Sequence, residues 1–338
     1  MIINKRPARL LVVLFAFCLL FPAMMFIAAG CGEKKTEGRL KVAASIVPLA
    51  DFCRNVGGDL VEVEIMVPPG ASPHTFEPTS SQMMFLSDAS VFVHNGLGLE
   101  TWITDIVKKA GNKELVEVAA AENLPNSYLI QAGAHHHHDE EGSEGESRHD
   151  HGTEGRHEEG GEHEYGIYDP HVWLDPDLAV YEVEAIRDGF IKADPDNEET
   201  YRKNAERYIS ELKELDNYVK DETSTFTRKK FVSFHPAFTY YAHRYGLEQV
   251  GVIVGLPGKE PSAGEISNLI DAIREQGVQV IFTEPQFNPR VAETIAAESG
   301  AEVVIKSLDP LGNPEDPAVS TYIRLIKHNT GVMAEAMR

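Results

Sequence analysis

Four side chains able to hold a transition metal sit at loop positions of this 338-residue chain: His74, His171, His235 and Asp309. His74 ends Pro68-Pro69-Gly70-Ala71-Ser72-Pro73, a run too rich in proline and glycine for regular structure and therefore a stiff loop. His171 falls in Asp169-Pro170-His171-Val172-Trp173-Leu174-Asp175-Pro176, where flanking prolines hold a side chain in one place. His235 precedes Pro236 after an apolar run, and Asp309 opens Asp309-Pro310-Leu311-Gly312. Three imidazoles and one carboxylate suit Zn2+, with bonds of about 2.0 to 2.2 Å in tetrahedral geometry. A site with four protein ligands is closed and binds the ion, whereas a metalloenzyme keeps one position open for water. Glu77, near His74, and Glu284, at a strand end, are rival carboxylates for the fourth position, and spacing does not choose among them. His94, ending an expected strand, and His243 and His328, on expected helices, carry no comparable signal, because a lone histidine is more often hydrogen-bonded or solvated than a ligand.

A second histidine population lies in residues 134–165: His135, His136, His137, His138, His149, His151, His157 and His163, interleaved with eleven Asp or Glu. Eleven acids against Arg148 and Arg156 give this tract −9 of the chain's formal −22. So little hydrocarbon cannot offset the entropy of ordering, which predicts a mobile surface insertion carrying borderline-soft nitrogen ligands rather than a packed element. A spacer or a tag is the blander reading, and the internal position argues against a tag. The acid excess argues against nucleic acid and anionic membrane surfaces as partners and suits a collector of cations.

Residues 1–30 read as a secretory signal: Lys5, Arg6 and Arg9, an apolar run from Leu10 to Ala29, then Ala28-Ala29-Gly30-Cys31. The cysteine gives the pattern of a bacterial lipoprotein, with Cys31 as the lipidated residue and the lipid as membrane anchor. An uncleaved span is the rival reading. Both place the functional part outside the cytoplasmic membrane, in the periplasm or at the cell surface. With Cys18 in the signal and Cys31 acylated, Cys53 stands alone among Leu49, Phe52 and Val56, as a core thiol with no disulfide partner.

The elements that must position the loops alternate strand and helix. Strands are expected at 40–45, 61–67 and 90–94, with helices at 48–56, 79–86 and 102–109 between and after them. Asp175-Pro176 reads as the start of a helix to Ala193. Asp194-Pro195 starts another, in which Tyr201, Ala205, Tyr208, Leu212, Leu215 and Val219 recur at spacings of three and four until about Thr223. Strands at 231–234, 250–254, 278–283 and 302–305 then alternate with helices at 236–245, 262–276, 289–299 and 319–336. The expected fold is α/β: two parallel-sheet lobes, 31–194 and 224–338, joined by one long rigid helix, 195–223, with a metal in the cleft between them. Ligands of such sheets bind beyond the carboxyl ends of the strands, where all four candidates fall.

Pro68–Pro78, Asn95-Gly96-Leu97-Gly98-Leu99-Glu100, Asp169–Pro176, Phe234-His235-Pro236-Ala237-Phe238 with Tyr245-Gly246-Leu247, and Phe282-Thr283-Glu284-Pro285-Gln286-Phe287 resemble the solute-binding proteins of bacterial zinc and manganese ABC importers. The resemblance covers about residues 39–338, with the motifs in the family's order. It implies two lobes joined by one long helix, a metal between them, and delivery to a membrane permease driven by a cytoplasmic ATPase. It matches His74, His171 and His235 to three family ligands and Asp309 to the last, carboxylate one. Members handling manganese usually carry Glu at the third position. His235 here, and the histidine tract, point to the zinc branch, consistent with the preference of Mn2+ for harder oxygen donors. Pro310 departs from the smaller residue common after the last ligand. The expected protein is a monomer and not an enzyme; the alternatives are a manganese-binding member, an adhesin or zinc chaperone, and a zinc hydrolase with Glu77 or Glu284 as base, for which no His-Glu-x-x-His pattern exists.

Deleting residues 134–164 is expected to leave one tight zinc site and to remove several loose ones. Calorimetric titration of both forms checks this, and loss of the tight site would make the tract part of it.

Overall fold

The computed structural model describes residues 38–133, 167–255, 258–300 and 302–338. The signal segment, Cys31 and all eight tract histidines lie outside the described residues. The first sheet is built from β1 (Leu40–Ala44), β2 (Val61–Ile65), β3 (Val91–His94) and β4 (Val116–Ala119), in the order β2-β1-β3-β4 and parallel throughout. The second repeats that order as β6-β5-β7-β8, from β5 (Lys230–Ser233), β6 (Glu248–Val252), β7 (Val280–Thr283) and β8 (Val304–Ser307), again all parallel. Helices α1 (Val47–Gly57), α2 (Ser80–Asp88), α3 (Ile103–Ala110) and α4 (Ala179–Ala193) belong to the first lobe. Helices α6 (Thr239–Tyr245), α7 (Ala263–Gln276), α8 (Arg290–Ser299) and α9 (Tyr322–Met337) follow the long α5 (Glu198–Ser224). The expected fold class is therefore observed.

Local sequence chemistry sets these boundaries. Thr79 and Gln82 form a reciprocal capping box at the start of α2, as Ser262 and Glu265 do at α7, and Gly111, Gly246, Gly277 and Gly300 end helices in the left-handed region. The predicted apolar stripe of α5 is buried: Tyr201, Ala205, Tyr208, Leu212, Leu215 and Val219. With 27 residues, that helix is about 40 Å long. It packs into one continuous apolar cluster that contains Ile46 and Phe52 of the first lobe and Phe231, Phe238 and Tyr241 of the second. The lobes share a core; they are not beads on a string.

Several elements differ from their expected bounds. β4 carries no strong signal, being four residues of which one is exposed and one buried, and it exists because its backbone pairs with β3 from Val91 opposite Val116 to His94 opposite Ala119. Helix α4 starts at Ala179 rather than at Asp175. Val172–Leu174 form a single 3-10 turn, and the Asp175 carboxylate accepts the Asp177 N–H at 2.9 Å, so that carboxylate caps a turn that precedes the helix. Similarly Pro195–Asn197 form a 3-10 turn ahead of α5, and α9 starts at Tyr322, with Thr321 as its cap. Cys53 is buried, and that burial pushes its thiol pKa up, leaving it unreactive. No helix among the described residues is long and apolar enough to cross a membrane.

Gly189 allows α4 to lie close on β4: a Cβ there would stand 2.3 Å from Val118 Cγ2. Gly189→Ala is expected to destabilise the fold by about 1 to 3 kcal/mol through overpacking. Thermal or urea denaturation checks the loss, and Val118→Ala in the same chain should recover part of it.

Candidate metal centre

Each histidine loop is fastened by bonds that sequence spacing does not reveal. The His74 loop leaves β2 and is held by the Trp102 indole, whose Nε1–H donates to the Pro73 carbonyl at 2.8 Å. The His171 segment is held at the β1/β3 switch point of the first sheet. There Asn95 Nδ2 donates to the Pro170 carbonyl at 2.9 Å, while Glu100 accepts from Ser45 Oγ at 2.6 Å and from the N–H of Asn95 at 2.9 Å. Gly96, Leu97 and Gly98 wrap that carboxylate with positive φ of 86°, 54° and 80°. Only glycine adopts that region readily, which accounts for Gly96 and Gly98, while Leu97 between them holds it at a steric cost. His235 follows β5 and Glu284 follows β7, so both stand at the matching β5/β7 switch point of the second sheet.

Three imidazoles converge there. The ligand atoms of His74, His171 and His235 all lie within 4.8 Å of one another, across the line between the lobes. His171 Nδ1 is 2.7 Å from Asp169 Oδ1, and the His171 backbone N–H donates to the same oxygen at 2.9 Å. His235 Nδ1 is 2.6 Å from Glu284 Oε1. A carboxylate on Nδ1 fixes the tautomer that leaves Nε2 as a lone pair. The two Nε2 atoms face each other at 3.2 Å, close to the roughly 3.3 Å edge expected between ligands of a tetrahedral zinc with bonds near 2.05 Å. Both ring nitrogens of His74 are buried and have no hydrogen-bond partner among the described residues. That is a donor set waiting for a cation. The space between the rings is about 20 Å³, room for about one water-sized particle, and Trp173, Glu284, Phe287, Pro310 and Leu311 also line it.

The carboxylates occupy distinct positions. Glu284, buried, holds His235 through one oxygen and leaves Oε2 without a partner. Asp309 stands outside the imidazole cluster, with Oδ1 accepting the N–H groups of Leu311 and Gly312 at 2.9 Å each. Asn329 fixes its backbone from both sides, at 3.0 and 2.7 Å. Pro310 and Leu311 of that turn nevertheless reach the cavity wall, and Gly312 at φ 79° closes the turn. Glu77 is exposed in a wider neighbouring groove of about 660 Å³ that shares His74 with the cavity. His94 lies apart, its Nε2 3.0 Å from Glu117, and His243 and His328 are exposed. The orienting role of Asp169 escaped sequence reasoning; its one signal is Asp-Pro-His, an acid two residues ahead of a ligand.

Burial, and then the proximity of His171 and His235, hold the His74 pKa well below the ordinary 6.5. The folded, metal-free chain therefore binds fewer protons at this ring than the unfolded chain does. Stability is full above about pH 7.5 and is lost as pH falls through the unfolded value near 6.5, with a slope of at most about 1.4 kcal/mol per pH unit for one proton. Urea titrations of zinc-free protein between pH 7.5 and 5.5 check the sign, and His74→Gln should flatten the slope.

Comparison with known proteins places the chain in a family. A family model described as the periplasmic component A of the zinc-uptake complex matches residues 42–336. The zinc-binding lipoprotein AdcA of Streptococcus pneumoniae is 32% identical over 306 residues, covering 90% of this chain and 57% of that protein. The high-affinity zinc uptake system protein ZnuA of Bacillus subtilis is 32% identical over 323 residues, covering 93% and 95% respectively. The chain thus spans little more than half of the AdcA relative and nearly all of the ZnuA one. Among solved structures, the Zn(II)-bound ZnuA-like domain of Streptococcus pneumoniae AdcA aligns at 29% identity with a TM-score of 0.66, over 89% of this chain and 99% of that one. With a matching model over most of its length and relatives above 30% identity, this chain belongs to the family of the periplasmic component A of zinc-uptake complexes.

Proposed function

We propose that the chain captures Zn2+ outside the cytoplasmic membrane and delivers it to the permease of an ABC importer powered by a cytoplasmic ATPase. The observation that carries this reading is the facing pair of carboxylate-oriented imidazoles with a third, unpartnered imidazole beside them. His74, His171 and His235 supply three nitrogen ligands. Asp309 supplies the fourth by turning its second carboxylate oxygen toward the cavity that its own turn lines; Glu284, whose second oxygen is unpartnered, is the substitute. Three imidazoles favour zinc over manganese. A fourth protein ligand leaves no position for an activated water, which fits a carrier and not a hydrolase.

Lipid on Cys31 tethers the monomer to the membrane, and the histidine tract gathers zinc loosely near the cleft. With a core shared by both lobes, release proceeds through local loop movement rather than a wide hinge swing. The permease draws away the turn of Asp309 or the segment of His171. Acid supports release, because imidazole must lose its proton to bind.

Competition calorimetry with Zn2+ and Mn2+ on the wild type and on His235→Ala tests this. One tight zinc per chain is expected, with manganese much weaker. His235→Ala should weaken zinc by about a hundredfold or more, roughly 2.7 kcal/mol. Affinity should also fall between pH 7.5 and 5.5. Tight binding that survives the substitution, or a preference for manganese, would contradict the reading.

A further inference from the structure

His171 and His235 belong to opposite lobes, and Tyr240 is where the structures that carry them meet. Tyr240 lies in α6, five residues after His235. Its ring is buried in a cluster with Ala121, Leu124, Val172 and Leu178, so a side chain of the second lobe plugs a small core of the first. In that apolar setting its hydroxyl is used twice: it donates to the Asp169 carbonyl at 2.9 Å and accepts from the Ile130 N–H at 3.1 Å.

Both backbone partners belong to a short antiparallel stem. Gln131 pairs with Tyr168, the Asp169 N–H donates to the Ile130 carbonyl at 2.8 Å, and the Ala132 N–H donates to the Ile167 carbonyl at 3.0 Å. Asp169 is also the residue whose carboxylate holds the ring and the backbone of His171. Near the other end of α6, Arg244 reaches Asp177 at 2.7 Å and Asp175 at 3.6 Å. The helix that begins beside His235 is thus tied along its length to the segment that carries His171. Tyr240 is the tie adjacent to the ligand.

We infer that Tyr240 is a positioning residue for zinc capture: from the second lobe, its ring and hydroxyl hold the Asp169–His171 pair at the spacing from His235 that one shared ion needs. The inference rests on the zinc-binding reading of the site. Phenylalanine would keep the plug but leave the Ile130 N–H and the Asp169 carbonyl without a partner among apolar side chains. Asp169 would then hold His171 less firmly, and a bound ion would leave sooner.

The test uses the full chain, with Zn2+ alone as the probe and a chelator as competitor, in wild type, Tyr240→Phe, Asp169→Ala and the double variant. Tyr240→Phe is expected to weaken zinc about tenfold, the scale typical of losing an outer-shell partner, almost all of it as faster dissociation. In the Asp169→Ala background the same change should have little further effect, because the route from Tyr240 to the ligand is already cut. Unchanged affinity with a lower melting temperature would make Tyr240 a packing residue and overturn the inference. Equal fold losses in both backgrounds would overturn it as well. A wild type that binds no zinc tightly would instead overturn the reading of the site itself.

Discussion

The metal centre depends on two hydrogen bonds, Asp169 to His171 and Glu284 to His235, each at 2.6 to 2.7 Å and each buried. Removing either bond frees an imidazole to rotate, and the tautomer that aims Nε2 inward is no longer enforced. Together they point two lone pairs at each other across 3.2 Å, an arrangement with no favourable term until a cation or a proton stands between them. The third ring, His74, is stripped of both hydrogen-bond partners by burial and remains neutral because of it. Protein packing therefore bears the electrostatic cost before the ion arrives, and little ordering is left for binding to bring about.

That packing comes from two copies of one topology. Each four-stranded sheet reverses its winding beside its first strand: His235 and its orienting Glu284 follow β5 and β7 of the second, and Asn95, just past β3 of the first, holds the Pro170 carbonyl between Asp169 and His171. The 27-residue α5 and the common core fix one sheet relative to the other. Beneath the centre, Asp51 accepts the Tyr208 hydroxyl at 3.0 Å and the Tyr322 N–H at 3.1 Å, and the Tyr322 hydroxyl reaches the Trp173 carbonyl at 2.7 Å. Trp173 in turn donates its indole N–H to Pro310 at 2.8 Å, joining the His171 segment to the Asp309 turn. The loops that carry the ligands are fastened to this frame by single named hydrogen bonds, among them Trp102 to Pro73, Asn95 to Pro170 and Trp173 to Pro310.

Much of the frame is legible in the sequence because its signals are local. The apolar periodicity of α5, the glycines that end helices and the proline-bounded loops each act within a few residues. β4 is not legible, since four residues of mixed polarity become a strand only when β3 lies alongside. The start of α4 is misread because Asp175-Pro176 has the composition of a helix cap, and whether it caps a helix or a preceding turn depends on the Val172–Leu174 turn packed in the core. The same limit applies at the site. Histidines on stiff loops can be picked out singly, but that Asp169 and Glu284 aim two of them is a property of folded distance. Asp309-Pro310-Leu311-Gly312 spells both a ligand and a self-capped turn, and in the folded chain its carboxylate caps its own turn.

X-ray absorption spectroscopy at the zinc edge, on chain loaded with one equivalent of Zn2+, tests the central claim most directly because it counts the imidazoles around the ion. Three imidazole nitrogens at about 2.0 to 2.1 Å with one oxygen completing a tetrahedron is the predicted result. Two or fewer imidazoles, or a six-coordinate oxygen-rich shell, would contradict a site built on His74, His171 and His235.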